Sequence, residues 1–316
     1  MSIDKIRVQV TGIEQVAPLI REFQLKAVDA ELMPFSPGSH VVVEMPDTPR
    51  PHRNAYSLLS DPRDGGCYRI AVRLQEHSRG GSRYMHEQVK VGDELWITPP
   101  ANLFSPLWQA SKHILIAGGV GITPFMSYLP ELEREGAHYE LHYLYRGKQT
   151  GAYREQLQQS LGERCFLYDA DAGARCDLRE LLSDQPRGSH AYICGPQSLI
   201  AGVQEVAAEL GWPASYIHFE AFAAPQPGNP FEVELSRSGR TLKVAADTSL
   251  LEALEEADVP VTSLCRGGVC GQCLTPVVSG DIEHRDEFLT AAEREKGNCM
   301  MPCVSRAAGK RLVLDL

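Results

Sequence analysis

The sequence predicts a three-domain chain: a β-barrel, then an α/β domain on a parallel sheet, then a small α+β domain with a cysteine-rich loop. Three observations predict it. Residues 1–107 carry short alternating apolar runs separated by Gly and Pro. Residues 108–222 alternate strand-like with helix-like segments. Residues 231–316 follow a proline-rich stretch at 223–230 and hold five of the nine cysteines.

In the first region, Ile6–Val10, His40–Met45, Tyr68–Arg73 and Glu94–Thr98 read as strands. Ser36-Pro37-Gly38 and Asp64-Gly65-Gly66 read as turns between them. Many short strands punctuated this way suggest a barrel.

The second region opens with an apolar strand at His113–Ala117, a Gly loop, and a helix expected to start at Thr123. Pro124 suits the first helical position and Thr123 is expected to cap it. Pro130 is expected to kink or shorten that helix. Leu141–Tyr145 and Ala191–Cys194 read as strands, and Tyr153–Leu161 and Pro196–Leu210 as helices. The last of these puts Leu199, Ile200, Val203, Val206, Ala207 and Leu210 on one face. This order argues for a parallel sheet covered on both sides.

Residues 223–230 read as a linker. Beyond it, Phe231–Leu235 and Thr241–Val244 flank a Ser238-Gly239 hairpin signal, and Ser249 with Glu252 form a capping box ahead of a helix. Then come the cysteines. Cys265, Cys270 and Cys273 follow the pattern C-x4-C-x2-C, and Cys303 lies further on. That is the spacing of plant-type 2Fe–2S ligands. Gly267, Gly268 and Gly271 let the loop turn its N–H groups toward sulfur. A structural zinc could instead use Cys270, Cys273, Cys299 and Cys303. It would leave Cys265 idle and the glycines unexplained, so Cys299 is read as a bystander.

Gly118-Gly119-Val120-Gly121 joins a strand to a helix, where a dinucleotide pyrophosphate finds free N–H groups. The loop departs from G-x-G-x-x-G, and a plain tight turn remains the alternative. Cys194-Gly195-Pro196, at a later strand–helix junction, strengthens the nucleotide reading. A nicotinamide donates two electrons together and a 2Fe–2S cluster accepts one at a time, so a flavin is required between them. The barrel is its natural seat, with Gly80, Gly81 and Ser82 offered to its phosphate.

Asn54-Ala-Tyr-Ser-Leu-Leu-Ser60, Arg79-Gly-Gly-Ser82, Gly118–Pro124, His218-Phe-Glu-Ala-Phe222, Pro302-Cys-Val-Ser-Arg306 and Arg311–Leu316 resemble motifs of the phthalate dioxygenase reductase family over essentially the whole chain. The resemblance implies a plant-type ferredoxin (β-grasp) C-terminal domain, FMN rather than FAD, NADH as donor, and a Rieske-type oxygenase as partner. It implies that Tyr56 packs on the flavin and Ser57 bonds near its N5. Asn54, Leu58, Val72, Arg73, Gly80, Gly81 and Ser82 would complete the flavin site, with Arg73 and Ser82 serving ribityl and phosphate. Gly119, Val120, Gly121, Thr123, Cys194, Gly195 and Pro196 would hold the nicotinamide nucleotide. Phe222 would stack on the flavin until nicotinamide displaces it. Asp169 and Asp171, after a strand, favour NADH over NADPH by repelling a 2′-phosphate. The partner's substrate would be a carnitine-like quaternary amine or a methoxylated or phenoxy aromatic. One position departs from the family, whose motif is usually Arg-x-Tyr-Ser. Asn54 takes the Arg place, and strand alternation points Arg53 to the other face.

The formal net charge of −10 disfavours a nucleic-acid backbone as ligand. No apolar run of about 18 residues is present, and the start lacks the basic-then-apolar pattern of a secretory signal. A cytoplasmic protein is expected. Two other readings stay open: a reductase for a di-iron monooxygenase, and a zinc-stabilised binding module.

Overall fold

A computed structural model describes residues 5–46, 51–76, 78–222 and 226–316. It divides into two compact units, Ser2–Phe222 and Ala223–Leu316.

The first unit begins with an antiparallel sheet: β1 Ile6–Ala17, β2 Ile20–Ala27, β3 Ser39–Met45, β4 His52–Ser57, β5 Tyr68–Arg73, helix α1 Gly81–Glu87, β6 Glu94–Ile97 and β7 Ala101–Asn102. The strand order is β4-β3-β6-β1-β2-β5, with β7 on β3. Alternate residues turn inward. Val8, Val10, Phe23, Leu25, Val41, Val43, Tyr68, Ile70 and Val72 are wholly buried in one core. The end strands β4 and β5 approach one another, and α1 lies against β3, β4 and β5. The sheet is therefore barrel-like, with α1 against its two end strands.

The same unit continues through β8 Lys112–Gly118, α2 Thr123–Arg134, β9 Tyr139–Tyr145, α3 Gly147–Thr150, α4 Arg154–Leu161, β10 Cys165–Asp169, α5 Leu178–Ser183, β11 Ser189–Gly195, α6 Gln197–Glu209 and β12 Ile217–Ala221. All strands are parallel, in the order β10-β9-β8-β11-β12. Two expectations fail here. Thr123 does not cap α2, because a 3-10 turn at Gly119–Ile122 already precedes it; its hydroxyl donates back to the Val120 carbonyl at 3.0 Å. Pro130 does not shorten α2, which runs on to Arg134. An interior proline costs about 3 kcal/mol. Burial of Phe125, Tyr128, Leu129 and Leu132 on the same helix outweighs it, at roughly 1.5–3 kcal/mol for each side chain.

The second unit carries β13 Phe231–Leu235, β14 Arg240–Val244, α7 Leu250–Glu256, β15 Thr275–Ser279, β16 Ile282–Glu283, α8 Ala291–Lys296, β17 Cys299–Met300, β18 Arg306–Ala307 and β19 Arg311–Leu314. Its main sheet runs β14-β13-β19-β15-β17, with β13 parallel to β19. The Ser249–Glu252 capping box forms as expected. Residues 223–225 of the predicted linker, like residues 1–4 at the start, lie outside the described residues. The remainder of the linker is pinned to this unit. Gly228 donates to the Ala246 carbonyl, Arg285 reaches the carbonyls of Gln226 and Pro227, and Arg306 reaches that of Asn229. Among the described residues no helix is long and apolar enough to cross a membrane.

One face of the parallel sheet carries a ladder of rings. His113 stacks on Tyr192, Tyr192 on His218, His218 on His190 and His190 on Tyr216, with centroids 5.7, 4.6, 5.2 and 4.2 Å apart. His190 Nδ1 and His218 Nε2 share a hydrogen bond of 2.8 Å. Burial holds all three imidazoles below their usual pKa, and neighbouring imidazoles add to this at His190 and His218. The unfolded chain, with His near 6.5, thus binds more protons than the folded chain on the acid side. This stabilisation is complete above about pH 6.5 and is lost as pH falls below it. The urea midpoint of the apoprotein is expected to fall between about pH 7.5 and about 5.5, and His218→Gln to flatten that fall.

Candidate functional site

The cysteine loop leaves α7 and folds back on it. Arg266, in a left-handed backbone conformation, is buried and makes a two-pronged ion pair with Glu255 of α7 at 2.6 and 3.0 Å. Gly271 is also left-handed, and a Cβ there would lie 2.3 Å from the Phe288 ring. The loop is thus tight against the protein's own side chains, and not only free to approach a ligand.

The thiols stand in two pairs. Cys273 and Cys303 lie 3.4 Å apart in a small core with Leu251, Leu289, Met301 and Val304. Cys265 and Cys270 are in mutual hydrogen-bond contact and half-buried. Cys265 is drawn down to about 5, first by the Cys270 thiol and then, against the effect of burial, by the N–H groups of Gly267, Val269 and Cys270. Cys273 is lowered by the Cys303 thiol. The partners Cys270 and Cys303 are pushed up by the thiols they face. A zinc reading would have joined Cys270 to Cys273. Pairing across the loop suits two irons, with two thiolates for each, and N–H groups already directed at sulfur. The donor set fits a 2Fe–2S cluster. Cys299 stands on β17, outside both pairs.

In the parallel sheet, strand order reverses between β8 and β11, where open α/β sheets bind ligands. The two strands end almost in contact. A Cβ at Gly121 would sit 2.1 Å from the Cys194 carbonyl oxygen. Gly121 therefore serves the approach of the two loops. Gly119 is left-handed and has open space at its Cβ position. Val120, Gly195 and Pro196 complete the rim. Thr123 and Cys194 are buried behind it. Burial, and then Glu220, pushes the Cys194 thiol well up, so it is neutral. Glu220 pairs with Cys194 across β11 and β12. It was quoted in a motif but given no role from sequence; a carboxylate inside an apolar strand was the available signal. Phe222 is exposed just beyond β12.

In the barrel, β4 presents its residues to the Gly80-Gly81 turn. Asn54 Nδ2 donates to the Tyr56 hydroxyl at 3.0 Å, and a Cβ at Gly81 would lie 2.5 Å from the same amide nitrogen. Burial pushes the Tyr56 phenol up to about 12. Arg53 points elsewhere, with its Nε 2.7 Å from Glu44, as alternation required. The Ser57 hydroxyl and Arg73 Nε are buried with no hydrogen-bond partner. Two such orphans, at the ends of β4 and β5, fit a polar ligand that accepts or donates there. Ser82 is buried, and its hydroxyl lies 2.9 Å from that of Ser78. Leu58 and Val72 are different. Both side chains are wholly buried in the barrel core, and the Val72 carbonyl faces His86 Nε2 at 2.8 Å. Neither side chain is exposed, since both pack in the barrel core.

Comparison with known proteins agrees with this geometry. Residues 233–308 match a family model described as a 2Fe-2S iron-sulfur cluster binding domain. Residues 97–217 match the N-terminal domain of dimethylamine monooxygenase subunit DmmA-like proteins. The chain is 54% identical to the heme-dependent oxidative N-demethylase beta subunit of Ectopseudomonas mendocina, over 98% of each chain. It is 45% identical to the carnitine monooxygenase reductase subunit of Escherichia coli, again over 98% of each. Among solved structures it resembles phthalate dioxygenase reductase, described as modular for electron transfer from pyridine nucleotides to 2Fe–2S, with TM-score 0.87, 34% identity and coverage of 99% and 98%. With two thiol pairs, a nucleotide crevice and a barrel carrying polar orphans in one chain, likeness of this extent shows that the protein belongs to the phthalate dioxygenase reductase family, the flavin and 2Fe–2S oxidoreductases that serve oxygenases.

Proposed function

We propose that the protein uses NADH to deliver electrons, one at a time, to an oxygenase that acts on an N-methylated or quaternary amine. The pairing of Cys265 with Cys270 and of Cys273 with Cys303 carries the electron-transfer part. The amine rests on relatives named for N-demethylation and for carnitine, both matched over nearly their whole length. Each NADH supplies two electrons and so supports two deliveries. The bound cofactors provide the exchange between a two-electron donor and one-electron acceptors.

The chain's own residues bind and orient. Cys265, Cys270, Cys273 and Cys303 would ligate the cluster, and the Arg266–Glu255 pair would hold their loop on α7. Tyr56, Ser57, Arg73, Gly80, Gly81 and Ser82 would hold FMN, with the Ser57 hydroxyl and Arg73 Nε gaining the partners they lack. Gly119, Thr123, Cys194, Gly195 and Pro196 would border the nicotinamide, and the uncharged Cys194 thiol adds no repulsion there. Phe222 would cover the flavin when the nucleotide is absent. Asp169 accepts from the N–H groups of Gly147 and Asp171, which leaves exposed Asp171 as the acid facing an adenosine ribose. None of the nine cysteines is joined in a disulfide, in keeping with a reducing cytoplasm.

The sequence points to a Rieske-type partner. The 54% identical relative, named heme-dependent, favours a second reading with a heme oxygenase. Anaerobic mixing with each purified oxygenase decides: the true partner's iron spectrum is reduced by NADH only when this protein is present. Reduction of neither would defeat the amine reading.

Cys270→Ser is expected to abolish electron delivery while NADH still bleaches the flavin, followed by diode-array spectroscopy. Arg266→Ala removes the partner of a largely buried carboxylate. It is expected to cost about 3 kcal/mol and to hasten bleaching of the cluster absorbance on heating. Asp171→Asn is expected to narrow the NADH-over-NADPH ratio of kcat/KM by about tenfold, an effect of removing one charge near a phosphate.

A further inference from the structure

Among the bonds that join the two layers of the first unit, beside Gly38–Ser127 and Asp61–Arg134, one is made by a wholly buried carboxyl group. Glu22 on β2 is 1% exposed. Its carboxylate takes two hydrogen bonds from Arg69 on β5, at 2.7 and 2.8 Å. Its third partner comes from the other domain: the Tyr153 hydroxyl donates at 2.7 Å. Tyr153 stands just before α4 in a left-handed conformation with φ 60, and supplies no side-chain cap to that helix. An Asn, Asp or Ser would cap better, and a Gly would adopt the backbone without strain. Local structure therefore does not explain a tyrosine here, whereas the reach of its hydroxyl does.

What surrounds the bond links it to the cofactor sites. Ala17, Ile20, Leu59 and Ala71 of the barrel form one core with Ala152, and Val16, Val120, Met126 and Tyr153 pack on it. Val120 belongs to the 3-10 turn at the crevice of the parallel sheet. Ala71 lies on the strand that ends in Val72 and Arg73. One continuous patch thus runs from the nicotinamide turn to the strand of the flavin site, and the Tyr153–Glu22–Arg69 bonds close its edge.

We propose that Tyr153 is a positioning residue, whose hydroxyl on Glu22 fixes the nicotinamide turn at working distance from the flavin strands. The inference rests on the flavin and NADH sites argued above. Transfer between two bound cofactors is steeply sensitive to misplacement, and an error of about 1 Å can cost about a hundredfold. Loss of one hydrogen bond that holds the layers together is a smaller slip. It should lower the rate without weakening either ligand.

The test uses full-length Tyr153→Phe and Glu22→Gln. In stopped-flow with excess NADH, both are expected to lower the limiting rate of flavin reduction about tenfold, while the NADH concentration for half-saturation stays within about twofold. FMN affinity, read from fluorescence quenching, is expected to be unchanged. Amide hydrogen exchange of the apoprotein at residues 119–122 is expected to quicken. A limiting rate within about twofold of the parent in both variants, or an NADH affinity that falls in step with the rate, overturns the proposal. If NADH fails to reduce the parent protein, the functional reading fails instead. The exchange experiment then decides the clamp alone: unchanged exchange in both variants rejects it.

Discussion

Four thiols held close to one another are the constraint on which the second unit is built. Ionised, they repel; neutral, they are poor ligands. The fold sets them in two facing pairs and aims the N–H groups of Gly267, Val269 and Cys270 at Cys265. A loop that bends its backbone that tightly needs external ties. They are the Arg266–Glu255 pair and the Glu287 N–H, which donates to the Gly268 carbonyl. The sheet and α7 are the frame for those ties.

In the first unit the constraint is closeness of main chain. The ends of β8 and β11 approach until a single methyl group at Gly121 would overlap the Cys194 carbonyl. This brings the 3-10 turn, Cys194 and Glu220 to one edge of the sheet. Burial keeps the Cys194 thiol protonated there. The barrel contributes the complementary feature, donors and acceptors with nothing to bond, at Ser57 and Arg73. An edge that offers turns and a barrel that offers unmet polar atoms are suited to different parts of two cofactors.

The sequence carried the fold because its signals were periodic and local. Alternation in β1 and β3 gave the barrel, and the helix face from Leu199 to Leu210 gave a layer of the α/β domain. The four candidate cluster cysteines are legible because thiolate spacing is chemically specific. Other features were not legible, for physical reasons. Thr123 looks like a cap from its neighbours, but a preceding 3-10 turn makes it helical already. Pro130 looks like a break until the burial on its helix is known. The complete burial of the Leu58 and Val72 side chains is not legible either, because a motif does not say how deep a residue packs. Tyr153 had no signal at all: its partner Glu22 is far away in sequence and meets it only after both domains fold.

The replacement at position 54 shows how one face can change chemistry without changing shape. A cation at that place would stand against the Gly80-Gly81 turn, where Asn54 now bonds the Tyr56 phenol. The neighbouring Arg53 cannot take over, because it is on the far face and is neutralised by Glu44, which also binds Lys5. Alternation along β4 makes the two positions mutually exclusive. The strand therefore contributes hydrogen bonds and no strand arginine to the flavin face. A flavin phosphate there would be left to the turn N–H groups and to Ser82. Such a seat would depend on geometry more than on charge, and the tight packing of Gly81 beneath Asn54 would then set where those N–H groups point.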